Sequence, residues 1–482
     1  MRKAVSSRKC VPGTGAKGVE RTEKKEYIMY GNELQEVHIL MNAISPEMLS
    51  TWSRDYRASR ERQLATLSLS KTELYDAAYN VGGSFAMTQK FSLDIPTLPV
   101  TDQKHSGRCW LFAAANVLRE RIAADLGLED FQLSQSYLAF WDKFERANFF
   151  LESILSTASL PADDRTVSFI LATGVHDGGQ WEMFANIVRK YGLVPRDVYG
   201  ETFQSGSTGA MNATLNRNLK VCAVKLRAMV AQGASGEAIQ AEKERMLGKI
   251  YGFLCSCYTE PPQVFDFEYV DKDKTFHADR GLTPQSFYKK YVGEALERTV
   301  SIINAPTDDK PFYKTYTIRY LGNVAGGSSV KHLNLPMEEF KAAILRQLQA
   351  GKVVWFGSDV GKFGDRAKGV WDDGSFDLPL LTGLALDISK KDALDYGFSA
   401  MNHAMVITGV NLVDGKPDRW KIENSWGDKN GEKGYYVCSD SWFDQYVYQA
   451  AVEREYLGDS AALAQLEPTV LEPWDPMGTL AD

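Results

Sequence analysis

An α+β fold is predicted by three observations. Apolar residues at helical spacing dominate the first half of the chain, and short strand-like runs separated by turn signals dominate the last third. Between them lies a long stretch that reads mostly as helix with its own caps, which suits a large insertion in a core whose helical part comes first and whose sheet comes last. At 482 residues the chain is too long for one compact core and fits two or three domains, or one domain with insertions. Hydrophobic residues make up 44% and charged residues 24%, so a packed interior is expected.

Residues 1–45 are charged and weakly patterned and read as a variable N-terminal extension. Within them Gly13 to Gly18 spell G-x-G-x-x-G, but no strand pattern precedes them, so a loop is expected and not a dinucleotide site. Residues 46–205 form the helical part of the core. A helix is expected from Cys109 to Glu120, and Tyr137, Phe140, Trp141 and Phe144 fall on one helical face that reads as core packing. Residues 206–337 form the inserted region. Ser235 is a plausible N-cap there, with Ile239, Met246, Ile250, Phe253 and Leu254 lining one face behind it. Residues 338–466 hold the β part: the helix "MEEFKAAILRQLQ", then strands in "VVWFGSD", "HAMVITGV", "RWKIENSW" and "GYYVCSD". Residues 467–482 carry Pro468, Pro473 and Pro476, which rule out a regular helix and predict an extended tail.

The formal net charge of −7, from 55 basic and 62 acidic residues, argues against a general nucleic-acid binder. The six cysteines are sparse and irregular, which fits a reducing compartment better than a disulfide framework. The basic start has no apolar stretch after it, and no run approaches the roughly 18 apolar residues of a membrane span. A cytoplasmic protein without a membrane contact is expected.

The chemistry centres on "QKHSGRCWLF", residues 103 to 112. Cys109 opens a helix, where unpaired N–H groups and the helix dipole favour a thiolate. A thiol nucleophile needs a base. His403 stands at the start of a strand, where a side chain is rigidly aimed. On the next strand Trp420, Ile422 and Asn424 share the apolar face, so the Asn424 amide needs a buried partner. An imidazole on the neighbouring strand supplies one, and the amide oxygen then fixes its tautomer. Trp426 is placed to shield that bond. Gln103, with the Cys109 backbone N–H, offers donors for an oxyanion.

In combination, Gln103, Gly107, Cys109-Trp110 and Phe112, with His403 and Asn424-Ser425-Trp426-Gly427, resemble the papain-like cysteine peptidases. The chain departs from the secreted branch: Ser106 stands where that branch has a disulfide cysteine, and the Cys109–His403 separation, 403 − 109 = 294 residues, is about twice that branch's spacing. "QKHSGRCWLFA", the insertion and the ending "EPWDPMG" resemble the bleomycin hydrolase/aminopeptidase C family over about residues 46–482. The resemblance implies a papain-like core with a helical left part and a β right part, a helical and hook insertion, and a C-terminal tail in the active-site cleft. It implies a thiol aminopeptidase working through a thioester on peptides with a free N-terminus, with no cofactor or metal, assembled as a homohexamer. It also implies that Gly178 and Gly179 pair with substrate backbone, that Trp426 lies beside the substrate, and that Ala481 and Asp482 close the cleft near the substrate amine. Family tails commonly end at alanine or a basic residue, so the terminal Asp482 is a departure.

Two alternatives remain: an endopeptidase on the same core, and a nucleic-acid-binding protein on a retained peptidase scaffold. Elsewhere, Cys255 and Cys257 with His277 lack a fourth ligand and C-x-x-C spacing, so helix packing is expected and not zinc. Asn212-Ala213-Thr214 matches a glycosylation acceptor that a cytoplasmic chain leaves bare. Arg108 is expected to be exposed.

Overall fold

The computed structural model describes residues 21–30 and 33–481, with side chains from residue 43 to residue 480. Gly13 to Gly18 and Asp482 lie outside the described residues. The chain divides into two compact units: one runs through Tyr79 and takes in Asp377–Ala385, the other holds the rest.

In the first unit, strands Arg21–Tyr30 and Glu33–Asn42 pair antiparallel, with Arg21 opposite Asn42. The weak patterning of residues 1–45 does not predict this pairing. Helix Pro46–Ala58 follows, capped by the Ser45 hydroxyl on the Met48 N–H and started by a proline that has no N–H to satisfy. Ser59 caps the next helix, Arg60–Leu69, in the same way. Neither helix buries a side chain.

The second unit carries the two-part core. Its helical side is built on Cys109–Leu126, Gln135–Ser156 and Trp181–Tyr191. The predicted stripe is core: Tyr137 and Phe140 are buried, and Trp141 and Phe144 pack beside them. Helices Gly209–Ala231 and Gly236–Tyr258 pack on this layer. Ser235 is the N-cap, accepting from the Ala238 N–H, and Met246, Ile250 and Leu254 are buried on the face behind it. Helix does not continue to residue 300, however. Phe265–Val270 and Phe276–Leu282 form an antiparallel hairpin, because Phe265, Phe267 and Tyr269 alternate and lay an aromatic face against Phe287 and Tyr291.

The β side is a twelve-stranded sheet among the described residues. Its centre is strand His403–Val413, flanked antiparallel by Val354–Ser358 and by Lys416–Glu423. All four strands read from the sequence are present, and helix Met337–Gln349 spans the residues expected. Residues 299–334, expected within the insertion, supply three strands of this same sheet: Thr299–Ile303, Thr315–Ile318 and His332–Asn334. The tail is not extended throughout. Thr469–Leu471 pairs parallel with Thr315–Ile318, and Pro476–Ala481 then closes into a 3₁₀ turn, a shorter repeat that tolerates a proline at its first position.

Helix Cys109–Leu126 packs against strand His403–Val413. Trp110 is fully buried at this seam, and its carbonyl accepts the Trp355 indole N–H at 3.2 Å. Gly179 lies against the same indole of Trp110: a Cβ there would sit 2.4 Å from the ring. Both partners are buried, so Gly179→Ala is expected to cost about 1–3 kcal/mol in overpacking, read as a lower urea midpoint. An unchanged midpoint would show that Trp110 moves freely.

Candidate active site

Cys109 is the first residue of its helix, so its N–H has no carbonyl one turn behind it to bond. Its Sγ lies 3.5 Å from the Ala404 N–H, which places the thiol beside the first residues of the His403 strand. His403 Nε2 is 2.9 Å from Asn424 Oδ1. The amide oxygen can only accept, so Nε2 carries the proton and Nδ1 is the free lone pair. Asn424 is held in turn by the Ser425 N–H, which donates to the same oxygen at 2.8 Å and fixes which way the amide faces. The Trp426 ring stacks on the imidazole with centroids 4.6 Å apart, and the Arg366 guanidinium lies 4.4 Å above the Trp426 ring. This stacked lid covers the His403–Asn424 bond.

Gln103 is buried beside this group. Its Oε1 accepts the Ser425 hydroxyl at 2.7 Å, and one N–H of its Nε2 is used on the Ser106 carbonyl at 2.5 Å. One amide N–H remains for a ligand. Ser425, which drew no role in the sequence reading, thus orients both amides of the site. Its place between Asn424 and Trp426 was the available signal.

The thiol is buried although it opens its helix; Cys109 is 4% exposed. Burial pushes it up to about 11, against the backbone N–H bonds that favour thiolate, with the Asp177 carboxylate adding to the rise. Burial likewise pushes His403 down to about 4, opposed by the hydrogen bond that His403 donates to Asn424 Oδ1. Burial thus works toward the uncharged form of each group.

Arg108 corrects the expectation of exposure. It is 1% exposed, and its guanidinium forks onto Glu201 at 2.9 and 3.2 Å while Nε reaches the Ser106 hydroxyl at 3.0 Å. It braces the nucleophile loop from behind. Gly178 and Gly179 are buried too, and the Gly178 carbonyl accepts from Arg146. From the tail, Thr479 donates to the Met401 carbonyl at 2.9 Å, two residues before His403, and Leu480 is buried. Ala481 ends the 3₁₀ turn. His277 pairs with Asp271 at 2.8 Å instead of meeting Cys255 and Cys257. No group of three metal-ligating side chains occurs among the described residues, and no described helix is long and apolar enough to cross a membrane.

A thiol at a helix start, beside a strand-borne histidine held by an asparagine, on a helix-plus-sheet core, defines the papain-like cysteine peptidases. The chain belongs to the Peptidase C1-like family, whose profile matches residues 43–478. It is 48% identical over 433 residues to aminopeptidase C of Lactobacillus delbrueckii subsp. lactis, covering 86% of this chain and 96% of the relative. It is 43% identical over 436 residues to aminopeptidase C of Listeria monocytogenes serovar 1/2a, covering 90% and 98%. The crystal structure of pepw from Lactobacillus rhamnosis HN001 matches with a TM-score of 0.89 at 48% identity, covering 90% of this chain and 99% of that one.

Cys109→Ala is expected to abolish peptide hydrolysis while circular dichroism stays that of the folded chain; residual wild-type turnover would remove the thiol from the mechanism. The pH dependence follows from His403. Neutral imidazole is needed to take a proton, so kcat/KM rises with pH through its acid limb. Because burial holds His403 down to about 4, that limb is expected well below the ordinary imidazole value of 6.5. An acid limb at the ordinary value would mean that water reaches the ring.

Proposed function

We propose that this protein is a cysteine aminopeptidase that removes N-terminal residues from peptides. The observation that carries the reading is the His403 Nε2–Asn424 Oδ1 bond at 2.9 Å on the strand whose Ala404 N–H meets Cys109 Sγ. Nδ1 of His403 takes the thiol proton as Sγ attacks the carbonyl of the first peptide bond. The oxyanion is met by the Cys109 N–H and by the free N–H of Gln103. The imidazolium then protonates the leaving amine, which departs and leaves a thioester. Water, deprotonated by the same imidazole, attacks the thioester; its oxygen enters the acid product, and the proton returns to the thiol. No cofactor enters these steps.

Gly178 and Gly179 present backbone to the peptide, Trp426 flanks it, and Ala481 with Asp482 limits the cleft on the side of the free amine. The buried Leu480 and the Thr479–Met401 bond support that placement of the tail. Segments 46–205 and 338–466 are the catalytic core, 206–337 the insertion and 467–482 the tail. The relatives named aminopeptidase C favour exopeptidase action; an endopeptidase on the same core is the reading to separate from it. Free-amine aminoacyl amides should be cleaved with a kcat/KM far above that of their N-acetylated twins, and deleting Thr479–Asp482 should lower that ratio. Equal rates on both substrates would make the protein an endopeptidase.

The chain assembles as a homohexamer in the cytoplasm. Helices Pro46–Ala58 and Arg60–Leu69 bury nothing of their own yet expose Leu49, Trp52, Tyr56, Leu64 and Leu67, a face that further copies can cover. The five described cysteines are all free thiols, which suits a reducing compartment. Light scattering is expected to give a multiple of the 53.8 kDa chain; a stable monomer at micromolar concentration would refute the assembly.

A further inference from the structure

The carboxylate of Asp177 is the meeting point of four donors from three parts of the chain. Oδ2 accepts the Gly107 N–H at 2.8 Å and the Thr208 hydroxyl. Oδ1 accepts the Lys143 ammonium at 2.6 Å and the Asn212 amide at 2.8 Å. The backbone carbonyl of Asp177 accepts the Trp110 indole N–H at 2.5 Å. Gly107 and Trp110 stand on either side of Cys109, so one residue holds the chain before and after the nucleophile. The approach is close: a Cβ on Gly107 would lie 2.9 Å from the Cβ of Asp177. Asp177 also runs directly into Gly178-Gly179.

A buried ion pair returns little net stability once desolvation is counted. Lys143 is 1% exposed in this pair and Asp177 10%. Burial works against the Asp177 charge, yet the Lys143 ammonium and the bonds from Lys143, Thr208 and Asn212 hold the carboxyl well below the usual carboxylate range. The acceptor for Gly107 is therefore permanently ionised, and a charge-assisted bond to a backbone N–H is stiff and directional. Thr208 and Asn212 belong to the start of helix Gly209–Ala231, the first element of the insertion. The insertion is thus bonded to the nucleophile loop through this carboxylate, in addition to the His105 N–H that donates to the Gly206 carbonyl at 2.9 Å.

We propose that Asp177 is a positioning residue for the reaction: it fixes the Cys109 thiol relative to the Gly178-Gly179 stretch, with Thr208 and Asn212 of the insertion holding its carboxylate in place. This rests on the cysteine-peptidase reading. A thiol displaced by a fraction of an ångström from the peptide carbonyl still reacts with a small diffusing alkylator but no longer attacks a bound peptide well. The two reactions therefore separate alignment from thiol reactivity.

The test compares Asp177→Asn with wild type on a free-amine aminoacyl amide and on iodoacetamide. Peptide kcat/KM is expected to fall roughly 10- to 100-fold, chiefly in kcat, the scale of loss that a small misplacement brings. The second-order rate of Cys109 alkylation should not fall below about a third of wild type, since loss of the Asp177 charge removes one contribution that disfavours thiolate. Asn212→Ala removes one of the four bonds at the half-buried edge of the cluster and decides the matter should Asp177→Asn fail to fold; a kcat loss of roughly threefold or more is expected of it, again without loss of alkylation. Peptide turnover within twofold of wild type in the folded variant would overturn the inference, as would equal loss of both reactions. A wild-type protein that neither alkylates at Cys109 nor cleaves peptides would instead overturn the peptidase reading itself.

Discussion

Helix Cys109–Leu126 carries the thiol, and the adjoining strands lead to the imidazole and the amide, so the site exists only while that one helix lies against that one sheet. Three consecutive alanines, Ala113 to Ala115, are buried at no more than 2% exposure and leave room for a close approach. Beneath them Arg119 meets Glu423 at 3.0 Å, and the Asn116 amide donates to the same oxygen at 2.7 Å. Glu423 directly precedes Asn424. Burial pushes Glu423 up to about 7, with Arg119 opposing and Glu120 adding to the rise. Such a pair adds little net stability. Its geometry instead sets how far along the strand the helix sits, while the apolar seam around Trp110, Trp355 and Val406 supplies the driving force.

Two effects compete over the thiol. The N-terminus of a helix favours an anion by about 0.3–1 kcal/mol, less than one pKa unit. Removal from water works the other way and prevails, since Cys109 ends at about 11 and not below its ordinary value of 9.0. The same removal leaves His403 a ready base over most of the pH range.

The polar residues that the composition leaves anonymous turn out to be the frame of the loop. Arg108 turns inward to Glu201, Ser106 bonds the Gln103 carbonyl at 2.6 Å, and Ser425 joins Gln103 to the Asn424 turn. The Gln103 N–H returns the favour by bonding the Ser425 carbonyl at 2.9 Å, from backbone to backbone. The Gln103 amide and the Asn424 amide that holds His403 are therefore parts of one hydrogen-bonded unit, although 321 residues separate them (424 − 103).

The sequence by itself determined the local alphabet of this protein. The 3.6-residue spacing drew the helices at Gln135 and Ser235, and the two-residue alternation drew the strand through Trp420 and Ile422, because these periods are properties of the backbone. The residue types at Cys109, His403, Asn424 and Gln103 named a chemistry, since few side chains can act as a nucleophile, a base and its orienting amide. What only the tertiary structure decided was burial and partnership. Arg108 looked like a surface cation until Glu201 met it. Residues 299–334 read as part of an insertion until they paired with the core sheet. In each case the deciding partner lies far away in the chain, and no local period or propensity carries information about a contact whose two halves are joined only when the helix and the sheet close on each other.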